Sequence, residues 1–200
     1  MMTFVQIGAN TGYDTFTKYC NYYKPDKIIL VEPFEEHHAE LKKCYSNFKD
    51  VNCAALAVID DPNLSSIDIF VQNNTAHATI MPLKDWDLNK CSSISVPAVT
   101  FDKLMSYYGI SKIDLLFIDT EGNDARIINS IDFDKLTIRA LYYEKWFFKH
   151  DDYSSFHPLH GESGMKIVND KLTSLGYSII EDGANFIARK MARTERIELS

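Results

Sequence analysis

The stretch that constrains this chain most is Phe4-Val5-Gln6-Ile7-Gly8-Ala9-Asn10-Thr11-Gly12, with a helical pattern from Tyr13 to Tyr23 directly behind it. A short apolar strand, a glycine-bearing turn and a helix form the opening half of a βαβ unit. Gly8 and Gly12 can take φ > 0 and let a ligand come against the main chain, and Asn10 between them also tolerates the left-handed region. The spacing is Gly-x-Asn-x-Gly, which differs from the G-x-G-x-x-G of dinucleotide folds. A glycine turn after a strand is common in α/β proteins and does not by itself name a ligand.

Two later stretches add chemistry to it. Ile28-Ile29-Leu30-Val31 is a continuous apolar run, the pattern of a strand buried on both faces, and it ends in Glu32-Pro33. At that strand edge a carboxylate can accept two hydrogen bonds from a ribose diol, or it can cap the helix beginning near Glu35. The glycine turn favours the ligand. Ile113 to Ile118 reads as another buried strand, followed by Asp119-Thr120-Glu121-Gly122-Asn123-Asp124. Parallel strands place their C-terminal ends side by side, so Asp119 and Glu121 are expected near the Gly8 to Gly12 turn. Carboxylates there can orient a ligand, hold a divalent metal or act as a base, whereas Asp124 suits the first turn of a helix.

With 200 residues and 46% hydrophobic content, one domain is expected. The formal charge of −7 argues against a protein that clamps a nucleic-acid backbone. No window reaches the roughly 18 apolar residues of a membrane span, and no charged and apolar leader precedes the first strand, so the chain is expected in the cytoplasm. Cys20, Cys44, Cys53 and Cys91 are widely separated without a C-x-x-C pair, as for reduced thiols, with Cys53 expected in the core.

Alternation of helix and strand continues through Glu35–Phe48 (helix) and Val51–Leu56 (strand). Ala54 and Ala55 are small enough to leave room beside a flat ligand, or they pack in the core. From 57 to 99 the alternation lapses into one-faced patterns such as Ile67, Ile69 and Val71, which predicts an antiparallel insertion around a polar loop from Gln72 to Thr79. Thr100 caps a further helix. Ile138 to Tyr143 is a strand ending in Glu144-Lys145-Trp146, where Lys145 beside Glu144 reads as an exposed pair. Phe147 to Gly161 is rich in aromatics and histidines, and a lid or acceptor site belongs there. Ser163–Leu175 is a helix closed by Gly176, Tyr177–Ile180 and Phe186–Arg189 make a hairpin, and 191–200 is a loose tail.

Taken in order, Gln6-Ile7-Gly8-Ala9-Asn10-Thr11-Gly12, Val31-Glu32-Pro33, Phe101-Asp102-Lys103-Leu104 and Ile118-Asp119-Thr120-Glu121-Gly122-Asn123-Asp124 resemble the FkbM family of S-adenosylmethionine-dependent methyltransferases over most of the chain. The resemblance implies an α/β class I methyltransferase fold with a Rossmann-like sheet. That sheet is mostly parallel, with a closing antiparallel hairpin, in a single domain over 1–190 that carries the 57–99 insertion. It implies S-adenosylmethionine as cofactor, with Gly8, Asn10 and Gly12 around the methionine part and Glu32 on the ribose. The expected cofactor set is Gln6, Gly8, Ala9, Asn10, Gly12, Glu32, Pro33, Ala54, Ala55 and Asp119. It also implies O-methylation of a small-molecule or saccharide acceptor, often a sugar hydroxyl or natural product.

Two positions depart from the family pattern: the acid many members carry before the turn is Gln6, and the second acid of Asp-x-Glu-Gly-x-Glu is shortened to Asp124. Asp119, Glu144 and His150 are the catalytic candidates, with His157 and His160 as alternatives to His150. Metal-assisted transfer through Asp119 and Glu121 and a non-catalytic cofactor-binding scaffold are the competing readings. With no helices before the first strand, part of the acceptor site is expected from the insertion or from a second subunit.

Overall fold

The structure is a computed structural model that describes residues 1–72, 78–80, 91–145, 159 and 161–191. In chain order its elements are β1 (Thr3–Ile7), α1 (Thr15–Tyr23), β2 (Lys27–Val31), α2 (Glu35–Cys44), β3 (Val51–Ala54), β4 (Ala57–Ile59), β5 (Ser66–Gln72) and β6 (Cys91–Thr100). There follow α3 (Phe101–Tyr107), β7 (Lys112–Ile113), β8 (Leu115–Ile118), α4 (Asp124–Ser130), β9 (Thr137–Ile138), β10 (Ala140–Glu144), α5 (Gly161–Ser174), β11 (Tyr177–Asp182) and β12 (Asn185–Lys190). The main sheet has seven strands in the order β11-β12-β10-β8-β1-β2-β3. Pairing is parallel from β3 to β10, and the β11–β12 hairpin closes the sheet antiparallel against β10. Strand order reverses between β1 and β8, and open α/β sheets form their ligand crevice at the C-terminal edge of such a reversal.

Alternation of side chains across the strands divides the core into two layers. Val5, Ile7, Ile29 and Val31 pack with Phe101 and Met105 of α3, Ile128 of α4 and Val168 and Leu172 of α5. Phe4, Ile28, Leu30 and Phe117 meet Phe16 and Cys20 of α1, Leu41 of α2 and Tyr45 on the opposite face. Gln6 shares the face of Phe4 and is fully buried there.

The 57–99 section forms a separate three-stranded sheet around Phe34, Ala57, Ile69, Val71 and Val96. Its β5–β6 pair is antiparallel as expected, but β4 joins β6 in parallel. Two polar contacts moor it to α4. Arg126 forks onto Asp60 (Nε–Oδ2 3.1 Å, Nη2–Oδ1 2.5 Å), and Asn123 Nδ2 donates to Val58 O at 3.0 Å.

Several local features differ from the sequence reading. Tyr13 stays outside the first helix because Asp14 is its N-cap, accepting from Thr17 N at 3.0 Å. The second helix ends at Cys44 rather than Phe48. The strand expected over Ile113–Ile118 breaks at Asp114, which turns aside to exchange hydrogen bonds with the backbone of Thr3. Cys20 is the core cysteine and Cys53 is only half-buried, because Asn52 to Cys53 lie on the outermost strand of the sheet. Lys145 is buried rather than exposed, since the β11–β12 hairpin lies over it: its ammonium pairs with Glu181 and sits 5.6 Å from the Phe186 ring centroid. Among the described residues no helix is long and apolar enough to cross a membrane.

Candidate active site

The glycine turn is bound on all sides. Gly8 N and Ala9 N both donate to Val31 O at 3.0 Å, which pins the turn to the end of β2. Gly8, Asn10 and Gly12 have φ of 81°, 44° and 83°, the left-handed region that the Gly-x-Asn-x-Gly spacing anticipates. The glycines are also needed for space. A Cβ on Gly8 would lie 1.8 Å from Asp119 O, and one on Gly12 would lie 2.8 Å from the Tyr45 ring and 3.0 Å from Leu41. The turn is therefore pressed against the loop after β8 on one side and against α2 on the other.

Glu32 joins these parts. Its Oε2 accepts from Asn10 N at 2.8 Å and its Oε1 from Phe34 N at 2.9 Å. Phe34 is the N-cap residue of α2 and supplies no side-chain cap, so Glu32 serves the helix start and the glycine turn at once. Each oxygen has a second lone pair for a further donor. Burial raises the Glu32 carboxyl above its usual range, opposed by the N–H groups of Phe34 and Asn10 and by His37 and His38.

A cavity of about 240 Å³ opens between Ile7–Asp14, Val31–Phe34 and the Asp119–Glu121 loop with Asn123. Gly8, Ala9, Asn10, Gly12, Glu32, Pro33 and Asp119 all line it, so most of the expected cofactor set is brought together. Ala54 and Ala55 do not line it. Strand β3 ends at Ala54, which enters the core, and the chain reaches the cavity two residues later through Leu56, Ala57 and Val58. Gln6 does not line it either; Asp14 does. The insertion adds Ile69, Ala78 and Ile80 to an apolar wall, held over the cavity by Thr79 Oγ1 donating to Glu121 O at 2.7 Å. Composition named a polar loop here, of which 73–77 lie outside the described residues, and nothing in it marked Ala78 and Ile80 as wall residues.

The acids gather at the β8 edge. Glu121 holds φ 52° and Gly122 φ 108°, and a left-handed non-glycine residue costs about 1–2 kcal/mol. Asp124 is buried and accepts from Thr120 N and Oγ1, both at 3.2 Å, as a structural acid at the start of α4. Burial and then Asp119 push its carboxyl well up. Glu144 ends β10 one residue beyond the Tyr143–Ile118 pair, as Asp119 lies one residue beyond β8. Burial first, then Asp124, Asp119 and Glu121, push Glu144 up to about 9. Its Oε2 is buried without a hydrogen-bond partner among the described residues. His150, His157, His160, Trp146 and Phe147 lie outside the described residues, and among those described no three His, Cys, Asp or Glu side chains group to hold a metal ion.

The family model for the methyltransferase FkbM domain matches residues 6–179, from the buried glutamine of β1 to the hairpin. The chain belongs to the FkbM methyltransferase family. The model it matches is that of a methyltransferase domain. Among solved structures, the FkbM methyltransferase from Methylobacillus flagellatus KT is similar with a TM-score of 0.54 at 11% identity, over 94% of this chain and 43% of that one. This chain therefore spans less than half the length of that protein. An S-adenosylhomocysteine-bound methyltransferase from Podospora anserina has a TM-score of 0.47 at 10% identity, over 95% of this chain and 72% of that one. No curated protein matches the sequence.

Proposed function

We propose that this chain, as one domain over 1–190 acting in the cytoplasm, methylates a hydroxyl of a sugar, glycoconjugate or natural product. The observation that carries the reading is the meeting of the Gly8–Gly12 cradle with Asp119 and Glu121 in one cavity, with Glu144 close enough to feel both charges. The residues present fit the cofactor. Glu32 offers acceptors to a ribose diol, the backbone at Gly8, Ala9, Asn10 and Gly12 admits close approach, Pro33 stiffens the adjoining loop, and Ile69, Ala78 and Ile80 suit a flat base.

When bound, S-adenosylmethionine supplies an electrophilic methyl group on a sulfonium. The chain then has to orient a hydroxyl in line with it and take the hydroxyl proton near attack. Asp119, exposed at the cavity mouth, is the better base. Glu144 is neutral below about pH 9 and acts as a base only where it has lost its proton. The test is release of S-adenosylhomocysteine with a panel of mono- and oligosaccharides. Turnover that Asp119→Asn slows without weakening cofactor binding supports the reading; cofactor binding with no turnover on any acceptor favours a scaffold instead.

A further inference from the structure

We propose that Asp14, held in place by Gln6, is the anion that receives the ammonium group of the cofactor's amino-acid end. The inference rests on the cofactor reading above. Gln6 is fully buried in the apolar layer of Phe4, Phe16 and Phe117, where an amide is costly unless its polar atoms are matched. Its Nε2 donates to Asp14 Oδ2 at 2.5 Å, while its Oε1 is buried without a partner among the described residues. Half of the amide is thus left unsatisfied, and the bond to Asp14 is what the side chain provides.

Asp14 does more than an ordinary cap requires. Its Oδ1 accepts from Thr17 N at 3.0 Å as the N-cap of α1, and its Oδ2 takes the glutamine amide. Oδ1 also accepts from Thr17 Oγ1 at 3.4 Å, so the carboxylate has one orientation, and it is Oδ2 that keeps a lone pair for a further donor. It lines the cavity just past Gly12. Among the described residues, three other acids line that cavity. Glu32 lies at the β2 end, engaged by two backbone N–H groups, and Asp119 and Glu121 lie on the β8 edge where the acceptor is proposed to enter. Asp14 is left for a cation at the glycine-turn end.

The pair also explains why position 6 is neutral. A carboxylate there would face that of Asp14 at the distance the amide now spans, and two like charges so close oppose one another. The charge has moved from the strand to the helix cap, and Gln6 has become its positioning residue.

Two probes separate this role from capping: S-adenosylhomocysteine, which carries the amino-acid end, and 5′-methylthioadenosine, which lacks it. Each is titrated calorimetrically into the full chain, into Asp14→Asn and Asp14→Ser, both good N-caps, and into Gln6→Met. Loss of a charge-assisted bond predicts that Asp14→Asn weakens S-adenosylhomocysteine by about tenfold or more and 5′-methylthioadenosine by less than about twofold. Gln6→Met shifts the same ratio by a smaller factor. Equal losses for both probes, or none for S-adenosylhomocysteine, overturn the assignment. An unsubstituted chain that binds both probes equally overturns this inference alone, and one that binds neither overturns the cofactor reading with it.

Discussion

The closest approach in the site is between Gly8 and the backbone of Asp119, and Gly8→Ala measures it. The added methyl would lie 1.8 Å from Asp119 O and 2.8 Å from Asp119 C. Tight C···O contacts in proteins are about 3.3 Å, so β1 and the loop after β8 must part by about 1.5 Å. That movement breaks or stretches the Asp119 N to Ile7 O bond, now 3.0 Å, at the top of the β1–β8 ladder. One backbone hydrogen bond is worth about 1 kcal/mol, an overpacked methyl about 1–3 and a left-handed alanine about 1–2. Together these give about 4 kcal/mol, or a fall in Tm of about 8–16 °C for a chain of this length. Gly183→Ala is the control. Gly183 has φ +61° with nothing within 4 Å of an added Cβ, so it carries only the conformational cost, about 1–2 kcal/mol. Thermal melts of the three chains by circular dichroism check the comparison. Equal falls for the two alanine variants would refute the close approach of turn and loop.

Three further outcomes are expected. Glu144 holds its proton more tightly in the fold, with about 9 against the usual 4.5, so its contribution is intact below pH 4.5 and is lost as the pH climbs through about 9. Glu144→Gln therefore melts with the unsubstituted chain at low pH and above it near pH 9; a constant gap across that range contradicts the assignment. Glu32→Gln turns an NH₂ toward either Asn10 N or Phe34 N, leaving a buried donor unmatched at about 1–3 kcal/mol, and both the melting temperature and the affinity for S-adenosylhomocysteine should drop. Asn123→Ala removes the partner of Val58 O and should cost a similar amount, about 1–3 kcal/mol, with faster hydrogen exchange in β4; unchanged exchange there would show that the insertion is moored elsewhere.

The sheet was legible because continuous apolar runs such as Ile28–Val31 have one common use in a chain of this length, and the glycine turn and Asp-Thr-Glu-Gly stretch mark where it opens. Contacts between distant segments were not. Lys145 looked exposed in sequence because its cover, Glu181 and Phe186, lies some forty residues away on the hairpin. The cavity wall was placed at Ala54 and Ala55 because the length of β3 set where the chain turns out, and a strand end cannot be read to within two residues. Asp14 was passed over for a related reason: a helix read from Tyr13 places it inside the first turn, and only the fold makes it the N-cap and brings the amide of Gln6 against it.

The Gly8–Gly12 cradle with Glu32 is proposed to hold S-adenosylmethionine. Calorimetric titration of the purified chain with S-adenosylmethionine and, in parallel, with NAD tests it most directly. Saturable binding of S-adenosylmethionine and none of NAD is the predicted result. Binding of NAD, or of neither compound, would contradict the account.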